Sequence, residues 1–297
     1  MPDPDSGDES RIAAATRREA ESWSLVLAAD GIAHRVFAVQ GEWCLELAPA
    51  DRARAELAIA DWERERAERA SAPRPEPVPE VATQAGVWLG LALLAFHAWT
   101  GPWEEASPWF ERGAANARLI VGGEPWRAVT ALTLHSDVTH AVGNAFSCAV
   151  FAGLLMRRYG PGVGAVLLLV SGALGNWLTA EWQRAHFVSV GASTALFGAI
   201  GALAATELVR RRRLRLRWGQ AWLPLAGGIA LLAMLGTGRG SDMTAHVLGL
   251  ASGVVAGFVA ARVAPRPPPP RAQLLLGAVT LAALGIAWQI AFREVPR

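Results

Sequence analysis

The sequence contains no lysine; all 28 basic side chains are arginine, against 26 acidic ones, for a formal charge of +2. So small an excess, with its arginines set between apolar runs, gives no reason to expect nucleic acid as a partner. Charge is sparse altogether, at 18% of residues, where soluble domains carry about 25%. Cysteine is limited to Cys44 in the polar N-terminal part and Cys148 in an apolar run, which excludes a disulfide framework and a CxxC metal site. No HExxH motif occurs, so metalloprotease chemistry is not expected, and nothing in the sequence implies a metal or organic cofactor. The first twenty residues are acidic and polar, and no cleavable signal peptide is expected there.

What is abundant is apolar, and it comes in blocks. Hydrophobic residues make up 52% of the chain, with 13 tryptophans and 30 glycines, and beyond the charged first eighty positions they form long runs separated by short loops. Runs of this kind cannot stay solvated and do not suit one water-soluble core, so an all-α polytopic membrane protein with a small N-terminal α+β domain is expected. Residues 1–72 read as the α+β module. Strands are expected at 24–27, 35–39 and 43–47, turns at Asp30-Gly31 and Gln40-Gly41, and a helix after Asp51 carrying Leu57, Ile59 and Trp62. Pro73, Pro75, Pro77 and Pro79 make residues 73–81 a stiff linker.

A membrane helix needs about 20 mostly apolar residues. Seven spans are expected: Ala82–Trp99, Val138–Met156, Val163–Thr179, Ser193–Val209, a short Gly-rich Ala221–Leu235, Thr244–Val263 and Ala272–Phe292. Spans two, four and six are followed by Arg157 and Arg158, by the run Arg210, Arg211, Arg212, Arg213, Arg215 and Arg217, and by Arg262, Arg266 and Arg271. The other loops carry Arg112, Arg118 and Arg127, then Arg184, then Arg239. The positive-inside rule therefore places the N-terminal module in the cytoplasm and the C-terminus outside. The first outer loop holds Trp103, Trp109, Phe110 and Trp126, rings expected to lie at the membrane interface.

Polar groups inside spans are costly and mark function. His140 and Asn144, at i and i+4, share one helical face at the start of span two; Ser193 opens span four after Gly191-Ala192; His246 lies near the start of span six, with Asp242 as its N-cap. Spans two, four and six all start on the outer side, so the four residues lie at one shallow depth. A Ser and a His there can act as nucleophile and general base toward an amide. Asn144, His140 and the Ser193 backbone N–H, at a helix N-terminus, can receive the oxyanion. His246, Gly249, Gly253 and Gly257 fall on one face, and Gly198, Gly201 and Ala202 provide small residues on span four, so the two helices can pack backbone to backbone. His97 is read as interfacial.

The block Gly191-Ala192-Ser193-Thr194-Ala195-Leu196-Phe197-Gly198-Ala199-Ile200-Gly201-Ala202, with Ala245-His246-Val247-Leu248-Gly249 downstream, closely resembles the rhomboid family of intramembrane serine proteases. So does Trp126-Arg127-Ala128-Val129-Thr130 followed by His135, His140 and Asn144. The resemblance implies a six-helix catalytic core over 82–263 and, over 264–297, a Pro-rich loop and an appended seventh helix. It further implies a Ser193/His246 dyad, oxyanion roles for His140 and Asn144, and supporting roles for Gly191, Trp126, Arg127, His135 and Gly249. The implied partners are transmembrane protein substrates and membrane lipid, cut near the outer boundary of what would be a bacterial cytoplasmic membrane. Thr194 departs from the pattern, since the family commonly has Gly there, and a β-branched side chain can crowd the serine. The alternative is a rhomboid-like pseudoprotease that binds transmembrane clients without cutting them. A small-solute transporter would show an internal repeat and midplane charges, and neither is found.

Because the N-terminal module and the dyad are expected on opposite membrane faces, a chain starting near Val81 should keep full peptidase activity, as measured on a transmembrane substrate in detergent. Complete loss of cleavage in a well-folded truncated chain would contradict this.

Overall fold

The computed structural model describes residues 10–39, 41–71, 81, 83–103, 107–183, 188–213 and 242–293. The expected linker at 73–80, the fifth span Ala221–Leu235, and Arg184, Arg215, Arg217 and Arg239 lie outside the described residues. The chain divides into two compact units, Met1–Pro75 and Glu76–Arg297.

In the first unit, Thr16 sets the boundary between strand β1 (Arg11–Ala14) and helix α1 (Arg17–Ala29). Its hydroxyl accepts the Glu19 N–H at 3.2 Å, while the Glu19 carboxylate accepts the Ala15 N–H at 2.7 Å, so two otherwise unpaired donors at the helix start are satisfied. The segment 24–27, expected as a strand, is therefore helical. Ala20 and Leu27, seven residues apart and fully buried, share the inner face of α1. Strands β2 (His34–Val39) and β3 (Glu42–Leu47) complete an antiparallel sheet of order β1-β3-β2, with Gly41 at φ 90° in the tight connection. A 3-10 turn, Pro49–Asp51, leads into α2 (Arg52–Ser71), whose Ala55 and Ile59 join Leu45 and Leu47 in the core.

The second unit begins with α3 (Ala85–Thr100) and a long loop containing α4 (Pro108–Gly113), β4 (Ala115–Asn116), α5 (Ala117–Val121) and α6 (Arg127–Thr130). Then come α7 (Val138–Ser147), continuing through a π turn at Cys148–Ala152 into α8 (Gly153–Tyr159), and α9 (Pro161–Gln183). Strand β5 (Val188–Ser189), α10 (Ser193–Arg213), α11 (Met243–Val263) and α12 (Pro270–Arg293) follow. Among the described residues, the continuous run Val138–Tyr159, α9, α11 and α12 are long and apolar enough to cross a membrane, and α3 is a shorter apolar helix. The last turns of α10 neutralise themselves in part, Glu207 accepting from Arg210 and Arg211.

Helices α10 and α11 meet where their side chains are smallest. Gly249, Gly253 and Gly257 of α11 lie against Thr194, Gly198 and Ala202 of α10, each stripe spaced by four residues. A Cβ on Gly257 would come 2.5 Å from the Ala202 backbone, and one on Gly253 would enter the Gly198 carbonyl. On α9, Gly172 and Gly175 leave room for Ala195 and Thr194 in the same way.

Helix α12 is clasped at two places. Near its start the buried Gln273 amide accepts the Gly162 and Val163 N–H groups, at 2.8 and 3.1 Å, and donates to the Tyr159 carbonyl at 2.8 Å. These two donors belong to the first turn of α9, which has no partner within its own helix. Near its end Trp288 fills the space over Gly113 and donates to Thr133 at 3.2 Å, while Arg112 donates to the Phe292 carbonyl. The aromatic loop residues consequently face inward in part, correcting the interfacial expectation. Trp109 packs on Phe96, Trp288 and Phe292, and Trp103 stacks on the buried Phe110.

Gly253→Ala should force α10 and α11 apart and cost about 1–3 kcal/mol, the usual price of overpacking. Gly277→Ala on α12, where a Cβ meets nothing within 4 Å, should leave stability unchanged or slightly raised. Thermal unfolding of the two variants in the same detergent checks the contrast.

Candidate active site

Five residues from three helices and one loop converge. His140 and Asn144 lie in the first two turns of α7, Ser193 is the first residue of α10, and His246 is in the first turn of α11. Asp242 caps α11, accepting the Ala245 N–H at 2.9 Å, and thus fixes the turn that presents His246. His246 Nε2 lies 2.8 Å from Ser193 Oγ. The imidazole rests on Phe197, one turn beyond the serine, with ring centres 4.6 Å apart. His246 is only 6% exposed, so the pair sits out of bulk water.

Gly191 adopts φ 124°, a conformation open to glycine and strained for other residues. A Cβ there would lie 2.7 Å from the His140 ring and 3.6 Å from Asn144 Nδ2, which places both side chains against the backbone two residues before Ser193. The Gly191 N–H is occupied, donating to the Ala131 carbonyl at 2.9 Å. At the opening of α10 the Ser193 N–H belongs to the unpaired first turn. A Ser–His pair beside an amide, an imidazole and a helix N-terminus can carry out nucleophilic attack on a carbonyl and receive its negative charge.

The remaining expected residues surround this group. Arg127, 3% exposed, pairs with Glu124 and donates to the Glu111 and Ala114 carbonyls at 2.8 and 3.2 Å, so it gathers the first loop around one cation. Trp126 supplies the carbonyl that accepts from Thr130 at the start of α6. Pairing of β4 with β5 ties that loop to the segment leading into Gly191. His135 is fully buried between His97 and His140, with ring centres 6.5 and 5.2 Å away. Burial, helped by His140 and His97, pushes the His135 imidazole down to about 3, so it is neutral at physiological pH. His97, read as interfacial, is instead buried on the inner face of α3. Gly249 lets α11 rest on Thr194.

Thr194 does not crowd the serine. Its Cγ2 methyl fills a recess formed by two glycines, where a Cβ on Gly175 or Gly249 would come within 2.7 or 2.9 Å of it. Sequence reasoning missed Phe197 under the histidine and the pair Ser136 and Asp137 beside His140. Asp137 follows the N-cap pattern, an aspartate directly before an apolar helix, and that signal was available. Replacing Thr194 by Gly should lower stability by about 1–3 kcal/mol, through the lost methyl and the helix cost of glycine. Labelling of Ser193 by a fluorophosphonate should change less than about threefold, since the dyad geometry does not rest on that methyl.

Part of the chain is similar to known proteins. Residues 122–263 match the Rhomboid domain, a segment that holds all five converging residues. The chain is 29% identical over 179 residues to the putative rhomboid protease YdcA of Bacillus subtilis, covering 60% of this chain and 85% of that protein. It is 35% identical over 149 residues to RHOMBOID-like protein 1 of Arabidopsis thaliana, covering 50% of this chain and 38% of the relative. Rhomboid protease GluP of Bacillus subtilis is 29% identical over 182 residues, covering 59% and 33%. The chain thus spans less than half the length of the last two relatives. With the motif residues gathered at one site inside the matched segment, residues 122–263 are a Rhomboid domain, and the chain is similar to rhomboid proteases.

Proposed function

We propose that this protein is an intramembrane serine endopeptidase that cleaves transmembrane protein substrates near the outer membrane boundary. The observation that carries the reading is the 2.8 Å approach of His246 Nε2 to Ser193 Oγ across two closely packed helices. His246 takes the hydroxyl proton as Ser193 Oγ attacks the scissile carbonyl carbon. The oxyanion is met by Asn144 Nδ2, by His140 and by the Ser193 N–H, aided by the positive end of the α10 dipole. Protonated His246 then donates to the departing amine, leaving an acyl-enzyme on Ser193. Water, deprotonated by His246, attacks the ester and restores both residues. In the full reading the core has six spans with α12 as the seventh, and the N-terminal unit lies in the cytoplasm. The relatives' printed names as rhomboid proteases support peptidase activity over client binding alone.

Fluorophosphonate labelling of the detergent-solubilised chain tests the reading. Wild type should be labelled, Ser193→Ala should not, and His246→Ala should lose at least about 10²-fold in rate with the fold intact. Absence of labelling in folded wild type, or persistence of labelling in Ser193→Ala, would overturn the assignment and favour a pseudoprotease.

A further inference from the structure

The hydrogen-bond chain beside His140 fixes which of its protons can be used. Ser136 Oγ lies 2.8 Å from Asp137 Oδ2 and 3.1 Å from His140 Nδ1. A hydroxyl has one hydrogen, and an ionised carboxylate only accepts. Asp137 is held as the anion, because the His140 backbone N–H and the Ser136 hydroxyl both donate to it and keep its carboxyl below the usual range. The Ser136 hydrogen therefore goes to Asp137, and Ser136 Oγ accepts from His140 Nδ1–H. In a neutral imidazole that leaves Nε2 bare, yet it is the Nε2 and Cε1 edge of the ring that faces Gly191 and the candidate oxyanion position. His140 can donate there only when both ring nitrogens carry a proton.

We infer that Asp137, acting through Ser136, is a positioning residue that fixes the His140 ring, opposes the loss of its second proton that burial favours, and aims that second N–H at the oxyanion. The inference rests on the peptidase reading above. The arrangement has the form of a carboxylate orienting a histidine through an intermediate donor, as in second-layer contacts to reactive imidazoles. Other titratable groups facing His140 are His135 from the turn before α7, His97 behind it on α3, and His246 on α11. All are bases that repel a cationic His140 when protonated, so Asp137 is the anion available to offset its charge.

The sign follows directly. Removing the Asp137 charge makes His140 release its second proton at lower pH, so the alkaline loss of activity moves toward acid. Asp137→Asn suits the test, because asparagine caps a helix as well as aspartate and keeps the bond to the His140 N–H. The measurements are the pH dependence of fluorophosphonate labelling between about pH 5 and 9, and the ¹⁵N shifts of both His140 nitrogens, on the full chain. In Asp137→Asn and Ser136→Ala the alkaline limb should fall by about half to one pH unit, with a matching fall in the His140 titration. Ser136→Thr, which retains the hydroxyl, should restore the wild-type profile. A wild-type profile in Asp137→Asn, or a His140 titration unmoved by the substitution, overturns the inference while leaving the dyad standing. A folded wild type that takes no label overturns the dyad reading and this inference with it, whereas the ¹⁵N titration shows separately whether Asp137 acts on His140.

Discussion

Everything at the site depends on two helices approaching more closely than ordinary side chains permit. Serine and histidine side chains are short, so a 2.8 Å contact between residues 53 apart in sequence requires α10 and α11 to touch through their backbones. In a bilayer no hydrophobic force draws helices together, because lipid tails solvate apolar side chains as well as a neighbouring helix does. Contact must come from dispersion between well-matched surfaces, and that grows as the axes near. The stripe Gly249, Gly253, Gly257 against Thr194, Gly198, Ala202 provides such a surface, and α9 extends it through Gly172 and Gly175. Part of the glycine content noted at the outset thus lies where reach is shortest.

Around that contact the buried polar groups fasten the first loop and its short helical turns. Arg127 collects two loop carbonyls, Thr130 donates to the Gly113 carbonyl, Asn176 donates to the Ala128 carbonyl, and Gly191 donates to Ala131. Irregular chain at this depth is tolerated only when its donors and acceptors are met internally. The Trp126-Arg127 motif is part of this scaffold, and the scaffold reaches Gly191 through the β4–β5 pair and the Ala131 carbonyl.

The site was legible because its residues are chemically out of place. His140, Asn144, Ser193 and His246 are polar groups in apolar runs, and arginine counts led to the expectation that they share one depth. The long helices among the described residues of the second unit were legible as apolar runs, with ends shifted by a few residues. What stayed hidden depends on partners distant in sequence. Residues 24–27 read as a strand because a short apolar run before the Asp30-Gly31 turn does not by itself tell strand from helix, yet the cap at Thr16 and burial of Ala20 and Leu27 make them helical. The harmless fit of Thr194 depends on Gly175 of another helix, and the inward turn of Trp109 on Trp288 of the last one. No window of sequence contains either pairing.

The clasping of α12 bears on how the site relates to its solvent. A helix of 24 residues is about 36 Å long, close to the thickness it must cross. Free helices answer a thicker or thinner bilayer by tilting. This one is held near its start by Gln273 and near its end by Trp288, so its tilt is shared with the turn between α8 and α9 and with the first loop. The loop is in turn joined through β4 and β5 to the strand before Gly191. A tether therefore runs from the last helix through the first loop to the glycine on which His140 and Asn144 converge, so these parts of the chain share one framework.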